Sequence, residues 1–201
     1  MQQHRIGLRA GRTAALVAAM LAVAATLTLS AQEEFPFTRE RGHAAVEYQN
    51  KDIHIVAAYY YSQRNHESRW LLIEAAVAST KPMTISRESI ALRTPQGREI
   101  PLATQRRFAQ DIERVRPLVQ NASASRHNVA SYFNQRNWTD RMRLFALPFQ
   151  GIVHNDFIVD QNSVARGDLF FEAPTGRWED GTYSLIIRHE LGQAELPIEL
   201  E

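Results

Sequence analysis

Two His-Glu pairs in the sequence resemble the beginning of a zinc-protease motif. His66 begins HESRW and His189 begins HELGQ, but neither is followed by a second histidine four residues later. A catalytic zinc site of this type needs two histidines on one helical face, with the glutamate as general base. Both pairs also lie where the pattern predicts a strand or a turn. We therefore predict no zinc site at either pair.

A second candidate is the stretch DFIVDQNSVARGD, whose hard oxygen donors suit calcium. The donors are Asp156, Asp160, Asn162 and Asp168. An EF-hand loop needs donors at positions 1, 3 and 5 and a glycine at position 6. Counted from Asp160, the fifth position is Val164 and the glycine is missing. The stretch is interpreted as a solvated turn, with a calcium loop of another type as the alternative.

Other catalytic signatures are absent from the sequence. It contains no G-x-S-x-G elbow, no G-x-G-x-x-G and no phosphate loop. Glu179 and Asp180 are adjacent in a turn, whereas glycosidase carboxylates face each other across a cleft. The histidines beyond the N-terminal region share neither a helical i, i+4 spacing nor a two-residue strand spacing. They are His43, His54, His66, His127, His154 and His189. We predict a non-catalytic protein with no cofactor and no bound metal; the alternative is a periplasmic His/carboxylate metal-binding protein.

A cluster of arginines is the clearest candidate for a binding surface. Between residues 104 and 143 the chain has eight arginines and three acidic residues, a local net charge of +5. Trp138 stands among them in the polar stretch NQRNWTD, which predicts a loop. An aromatic residue in such a loop is typical of a contact site or of a plug onto the domain. Arg106, Arg107 and Trp138 are the predicted partner-contact residues, and arginine stems covering the apolar face of a helix are the alternative interpretation.

The first residues predict export. Arg5, Arg9 and Arg12 precede an uncharged, alanine-rich run to Ala31, as in a secretory signal peptide. We predict a signal peptide over residues 1–31, a linker over 32–42, and a location in the periplasm or outside the cell. An uncleaved anchor that joins the domain to a membrane complex as an accessory subunit is the alternative, and only in that case do we predict membrane contact.

The composition excludes several classes of protein. The sequence has no cysteine, so the domain has neither a disulfide scaffold nor thiolate chemistry. Without the three leader arginines, the chain has 20 basic and 22 acidic residues, a net charge of −2 with neutral histidines. That balance is not typical of nucleic-acid binding, and we predict none. The sequence does not indicate an oligomeric state.

The remaining chain predicts one β domain, residues 43–201, with a helical insert over 104–135. Apolar and polar residues alternate in HAAVEYQ, DIHIVAAYYYSQ, RWLLIEAAVAST, MTISRESIALRTP and REIPLAT, and again in RMRLFALPF, NDFIVD, RGDLFFEAP, GTYSLIIRH and AELPIEL. Between these groups Phe108, Ile112, Val115 and Val119 form one stripe of an amphipathic helix. Pro117 is expected to kink or end that helix. A second short helix is expected in SRHNVASYFNQ.

The segments GDLFFEAP, GTYSLII and LPIEL resemble the closing strands of immunoglobulin-like domains of exported bacterial proteins of uncharacterised function. The resemblance implies an antiparallel β-sandwich and an interaction or accessory role rather than a reaction. The insert has no counterpart in it, and no cysteine pair bridges the sheets.

Six residues are predicted to shape the turns and the closing hairpin. Gly97 takes the positive-φ place of the turn TPQGRE, Gly167 opens a strand that Pro174 ends, and Gly181 lies in the following turn. Phe171 is expected to share one strand face with Leu169, opposite Phe170, and Tyr183 to share a face with Leu185 and Ile187. Taken together, the sequence predicts an exported binding or assembly module with a protein partner in the bacterial cell envelope.

Overall fold

The computed structural model describes residues 36–64, 69–124, 128–133, 137–139 and 141–201. The predicted signal peptide over residues 1–31 lies outside this part of the chain. None of the helices in the described ranges is long and apolar enough to cross a membrane.

The described chain is mainly β, with several antiparallel sheets, as the sequence predicts. Its strands are β1 (Phe37–Glu40), β2 (Ala45–Gln49), β3 (Ile53–Ala58), β4 (Trp70–Ser79), β5 (Met83–Ser86), β6 (Ile90–Arg93), β7 (Glu99–Pro101), β8 (Asn137–Thr139), β9 (Asp156–Val159), β10 (Ser163–Glu172), β11 (Gly181–His189) and β12 (Gly192–Leu200). Its helices are α1 (Tyr60–Arg64), α2 (Gln105–Gln110) and α3 (Ile112–Ala124), with 3-10 turns at Arg87–Ser89 and Val129–Tyr132.

Six strands form the larger sheet, in the order β1-β2-β3-β4-β10-β8. The first four follow one another antiparallel along the chain. Asn50 closes the turn between β2 and β3, because its side-chain oxygen accepts hydrogen bonds from the backbone N–H groups of Asp52 and Ile53. β10 then pairs antiparallel with β4, and the short β8 runs parallel to β10 at the edge.

A four-stranded sheet has the order β12-β11-β6-β7, and β5 and β9 form a separate pair. β11 and β12 are the closing hairpin expected from the sequence, paired from Gly181↔Leu200 to His189↔Gly192. Apolar side chains from both larger sheets meet in one main core, for example Ile55 and Ile73 from the first and Leu185 and Leu196 from the second. The alternation along these strands therefore sends one face of each sheet into this core.

β4 is buried along its whole length, which explains why WLLIEAAVA is apolar apart from Glu74. Leu71 and Ile73 face the main core, whereas Trp70 and Leu72 face the helices. Neighbouring β10 divides in the same way: Leu169 and Phe171 lie in the main core, and Phe170 packs against the helices. The larger sheet therefore has a second buried face, which is covered by the helical insert.

Several sequence-based boundaries differ from the structure. Phe37–Glu40, inside the range expected as a linker, pair with β2 as the edge strand β1. The strand expected to run through Tyr61 ends at Ala58, and α1 follows. The strand expected in RMRLFALPF does not form, and residues 141–155 contain no strand. Side chains bond to the backbone there: the buried Arg87 donates to the Leu144 carbonyl oxygen, and the half-buried Gln105 side chain bonds both the N–H and the C=O of Ala146.

The helical insert also breaks at an unexpected place. α3 continues through Pro117 to Ala124, and the break lies at Asp111, between α2 and α3. Pro117 is the sixth residue of α3, beyond its first turn, so its missing N–H removes one intrahelical hydrogen bond to the Glu113 carbonyl oxygen, and the helix continues despite that loss. The buried stripe of α3 also differs from the predicted one. It consists of Val115, Leu118 and Ala122, whereas Ile112 and Val119 are only partly buried.

Candidate functional site

The helical insert is attached to the larger sheet by an aromatic cluster. Phe108 from α2 packs edge-on against Trp70 and Phe170, with ring centroids 6.2 Å and 4.9 Å away. Phe145 lies 5.1 Å from both Phe108 and Phe170. Thr104 caps α2, because its hydroxyl accepts a 3.1 Å hydrogen bond from the Arg107 N–H. The start of the insert is thus fixed in position.

Arg107, one of the predicted contact residues, belongs to this attachment. Its Nε and NH2 atoms donate to the two carboxylate oxygens of Glu172 at 2.7 Å and 2.6 Å. Its guanidinium also lies 5.9 Å from the Trp70 ring centroid. The hydrogen bonds that Arg107 donates to the Glu172 carboxylate raise the pKa of Arg107. This bidentate ion pair joins the end of β10 to α2, so Arg107 has a structural role that the sequence did not indicate.

Asp111, at the break between α2 and α3, completes the network. Its Oδ2 accepts a 2.8 Å hydrogen bond from the indole Nε1 of Trp70 and lies 3.7 Å from nitrogens of both Arg69 and Arg107. Arg114 approaches Oδ1 at the same distance. Asp111 and Glu172 are therefore engaged with neighbouring cations within the fold.

The other predicted contact residues lie at separate places. Arg106 is exposed on α2, and Arg116 is exposed on α3. Trp138 is in strand β8, opposite Val164 of β10, rather than in a loop. The reason is that Asn137–Thr139 pair in parallel with Ser163–Ala165, a long-range pairing that the polar composition of NQRNWTD did not predict.

A cavity of about 300 Å³ lies beside the insert. Its apolar wall includes Phe108, Phe145 and Phe170, and its polar groups include Arg143 and Arg166. Gly167 also lines it. The carboxylate of Asp168 lines the cavity as well, so its wall carries charges of both signs. The cavity is large enough for a small ligand.

Gly167 is required where Met142 crosses β10. The sequence predicts that Gly167 opens the strand, but it is the fifth residue of β10, because the pairing extends back to Ser163. The strand predicted in GDLFFEAP therefore begins too late. A Cβ atom at Gly167 would lie 2.1 Å from the Met142 carbonyl oxygen and 2.8 Å from the Met142 Cβ. Only glycine allows this close approach.

The residues predicted to shape the turns and the closing hairpin have structural roles. Gly97 has φ +85°, and its N–H donates to the Thr94 carbonyl oxygen at 2.8 Å. Pro174 is exposed just after β10 ends, and Gly181 begins β11. Tyr183 is buried, which raises the pKa of its hydroxyl, and it donates a 3.0 Å hydrogen bond to the Glu179 carbonyl oxygen.

Trp178, in the same turn, is buried and packs edge-on against Tyr183 with ring centroids 5.6 Å apart. Glu179 and Asp180 are exposed in the turn that leads into β11. This stretch therefore completes the end of the main core rather than lining a cleft with two carboxylates.

The structure contains an ion cluster around the buried Glu47 that the sequence did not predict. Glu47 Oε2 accepts hydrogen bonds from Nε of Arg39, at 2.7 Å, and of Arg41, and Oε1 lies 2.6 Å from His54 Nε2. Burial by itself raises the pKa of Glu47, but the hydrogen bonds from Arg41, Arg39 and His54 outweigh it, so the pKa lies below its ordinary value. Neither spacing nor residue type marked this cluster, because its members come from β1, the turn after it, β2 and β3.

The candidate calcium donor Asp160 caps a loop. Its Oδ1 accepts hydrogen bonds from the N–H groups of Asn162 and Ser163 and from the Ser163 hydroxyl, at 2.8 to 3.0 Å. Its Oδ2 lies 3.3 Å from Arg141 NH1. Within the described ranges, no group of three or more His, Asp or Glu residues could hold a metal ion. His66 and His127 lie outside those ranges.

Comparison with known proteins gives no match: no family model, no curated protein and no solved structure is similar to this chain.

Proposed function

We propose that the chain is an exported, non-catalytic binding or assembly module of the bacterial cell envelope, and that it contacts a protein partner through its helical insert. The observation that carries the proposal is the distribution of charge at the insert. Asp111 and Glu172 are engaged in ion pairs within the fold, whereas Arg106, Arg114 and Arg116 are exposed and outnumber the one exposed acidic residue of α3, Glu113. The exposed charge of the insert is therefore mainly positive.

A partner that fits this surface carries carboxylates. Exposed arginines form forked hydrogen bonds with carboxylates and steer an acidic surface during association. The rigid attachment of α2 through Phe108 and Arg107 supports such a contact, because little conformational freedom is lost when a partner binds a fixed helix.

The fold that we propose is a two-sheet β-sandwich with immunoglobulin-like layering. It is supported by the main core, which receives side chains from both larger sheets. The strand connectivity differs from that of an immunoglobulin domain. Such a domain places its third strand in the opposite sheet, whereas here β1 to β4 follow one another in a single sheet. Such a scaffold presents an insert rigidly and implies no particular reaction.

A crosslinking experiment tests the contact surface. The full chain is crosslinked in envelope fractions as the wild type, as Arg106→Glu with Arg116→Glu, and as a control with Arg98→Glu and Arg177→Glu, two exposed arginines in turns outside the insert. We expect the insert variant to lose its crosslinked partner and the control to keep it. If the insert variant keeps every partner of the wild type, the arginines of the insert are not the contact surface.

A further inference from the structure

The tip of the loop Leu147–Ile152 exposes two large apolar side chains. Phe149 is fully exposed and Ile152 is 75% exposed. The other large apolar residues exposed in the described chain, Ile158 and Leu191, lie on other elements and are about half exposed. The loop therefore has the most exposed apolar surface that the structure describes.

The backbone of this loop holds Phe149 outward at a conformational cost. Gln150 N–H donates a 3.0 Å hydrogen bond to the Leu147 carbonyl oxygen, which closes a four-residue turn. Pro148 has a fixed negative φ and Phe149 has φ +66°, the combination of a type II turn. The third position of that turn favours glycine or asparagine, and a bulky residue with positive φ is a genuine outlier. No contact with the residues that the structure describes offsets this cost, because the ring is fully exposed.

The base of the loop is rigid. Met142 and Leu144 are buried in the main core, and Arg87, itself buried, donates hydrogen bonds to the carbonyl oxygens of Ala103 and Leu144. Both N–H and C=O of Ala146 bond to the side chain of Gln105. The exposed tip is thus a fixed projection from a packed segment.

Positive charge borders the tip. A shallow groove next to it is lined by Arg141, Arg143 and His154 together with Gly151 and Ile152. The segment 141–155 contains two arginines, one histidine and no acidic residue. Arg141 is ion-paired with Asp160, and Arg143 is exposed. Apolar side chains beside arginines are the combination that binds the interface of an anionic bilayer.

The size of the tip favours a bilayer over a protein partner. A stable protein interface buries about 800 Å² on each side around an apolar centre, whereas this loop offers two apolar side chains on a projection. A bilayer needs no complementary pocket, since acyl chains accommodate a projecting ring. We propose that Leu147–Ile152 inserts Phe149 and Ile152 into an anionic membrane surface, with lipid phosphate held at Arg141 and Arg143.

The proposed membrane contact is independent of the arginines of the insert and of residues 1–31. A site-specific probe is therefore needed, because an apolar leader could bring the full chain to vesicles by itself. The absence of cysteine from the natural sequence makes such a probe simple. Gln150→Cys places one thiol in the tip without removing Phe149 or Ile152, and Leu191→Cys places one in the exposed turn between β11 and β12.

The experiment labels each full-length variant with an environment-sensitive fluorophore and adds vesicles of phosphatidylcholine, with or without phosphatidylglycerol. We expect the label at 150 to shift to the blue with phosphatidylglycerol vesicles, and the label at 191 to stay unchanged. Adding Phe149→Ser should weaken the response at 150 roughly tenfold or more. Adding Arg143→Gln should weaken it about fivefold, and only with the anionic vesicles.

Three outcomes would overturn the proposal. The first is no blue shift at 150 with anionic vesicles, and the second is an equal shift at 150 and 191. The third is a shift at 150 that grows with protein concentration in the absence of lipid, which would assign the tip to a contact between two copies of the chain. Sedimentation velocity of wild type and Phe149→Ser identifies that case, and circular dichroism checks that each variant is folded.

Discussion

The crossing of Met142 over Gly167 provides the sharpest test of the packing. In Gly167→Ala, the new Cβ would lie 2.1 Å from the Met142 carbonyl oxygen, so the backbone must move by about 1.3 Å to reach an ordinary 3.4 Å contact. Alanine would otherwise stabilise this strand position by about 0.5–1 kcal/mol, because glycine loses more entropy on folding. Overpacking of a core costs about 1–3 kcal/mol, and a main-chain oxygen cannot rotate away. Because this oxygen cannot move aside, the cost lies at the upper end of that range, about 3 kcal/mol, and we expect a net loss of about 2–2.5 kcal/mol.

Urea and thermal unfolding monitored by circular dichroism measure this loss. For a domain of this size it corresponds to a melting temperature lower by about 4–10 °C. The control is Gly176→Ala, where no atom lies within 4 Å of the new Cβ and only the positive φ, +83°, opposes the change, at a cost of about 1 kcal/mol. Met142→Ala should not rescue Gly167→Ala, since the main-chain oxygen stays. A Gly167→Ala protein as stable as the wild type, or a rescue by Met142→Ala, would refute the close approach.

Three further predictions concern ion pairs and the exposed loop. Glu47 has a lowered pKa, so its stabilising effect is complete above its ordinary value of 4.5 and is lost as the pH falls through the lower folded value. Glu47→Gln should cost about 2 kcal/mol at pH 7, because it weakens hydrogen bonds to a charged group, and it should flatten the pH dependence of unfolding below 4.5. Arg107→Met should cost about 1 kcal/mol, and a double-mutant cycle with Glu172→Gln should show that most of this loss depends on Glu172; an additive cycle would contradict the pairing. Phe149→Asn should stabilise the domain by about 0.5–1 kcal/mol, because asparagine tolerates positive φ; a lower melting temperature would show that the ring packs against the domain.

Much of the β architecture could be predicted because its signals are local. The alternation in GTYSLII and LPIEL predicts the strands of the closing hairpin, and the structure pairs them along their full length. The opposite orientations of Phe170 and Phe171 follow from the two-residue period of a strand alone. Likewise, TPQGRE predicts its turn from proline and glycine, whose backbone preferences depend little on the rest of the molecule.

The candidate site was less predictable, because it depends on residues that are far apart in sequence. Arg106 is exposed and available for a contact, whereas Arg107, its neighbour, is held by Glu172, 65 residues away. Nothing in the residue types distinguishes the two arginines. The helix period places them on different sides of α2, and the sheet order then decides which side meets β10.

By itself, the sequence determined the β class, the main turns and the presence of a helical segment, since each follows from backbone preferences and short apolar periods. Only the tertiary structure decided which polar groups are paired and which apolar groups are exposed. Glu47 meets its three partners because β1, β2 and β3 are in register. Within residues 141–155, the Leu144 and Ala146 carbonyl oxygens bond to the side chains of Arg87 and Gln105 rather than to a neighbouring strand. Such contacts depend on the distance between segments after folding, and no local pattern records that distance.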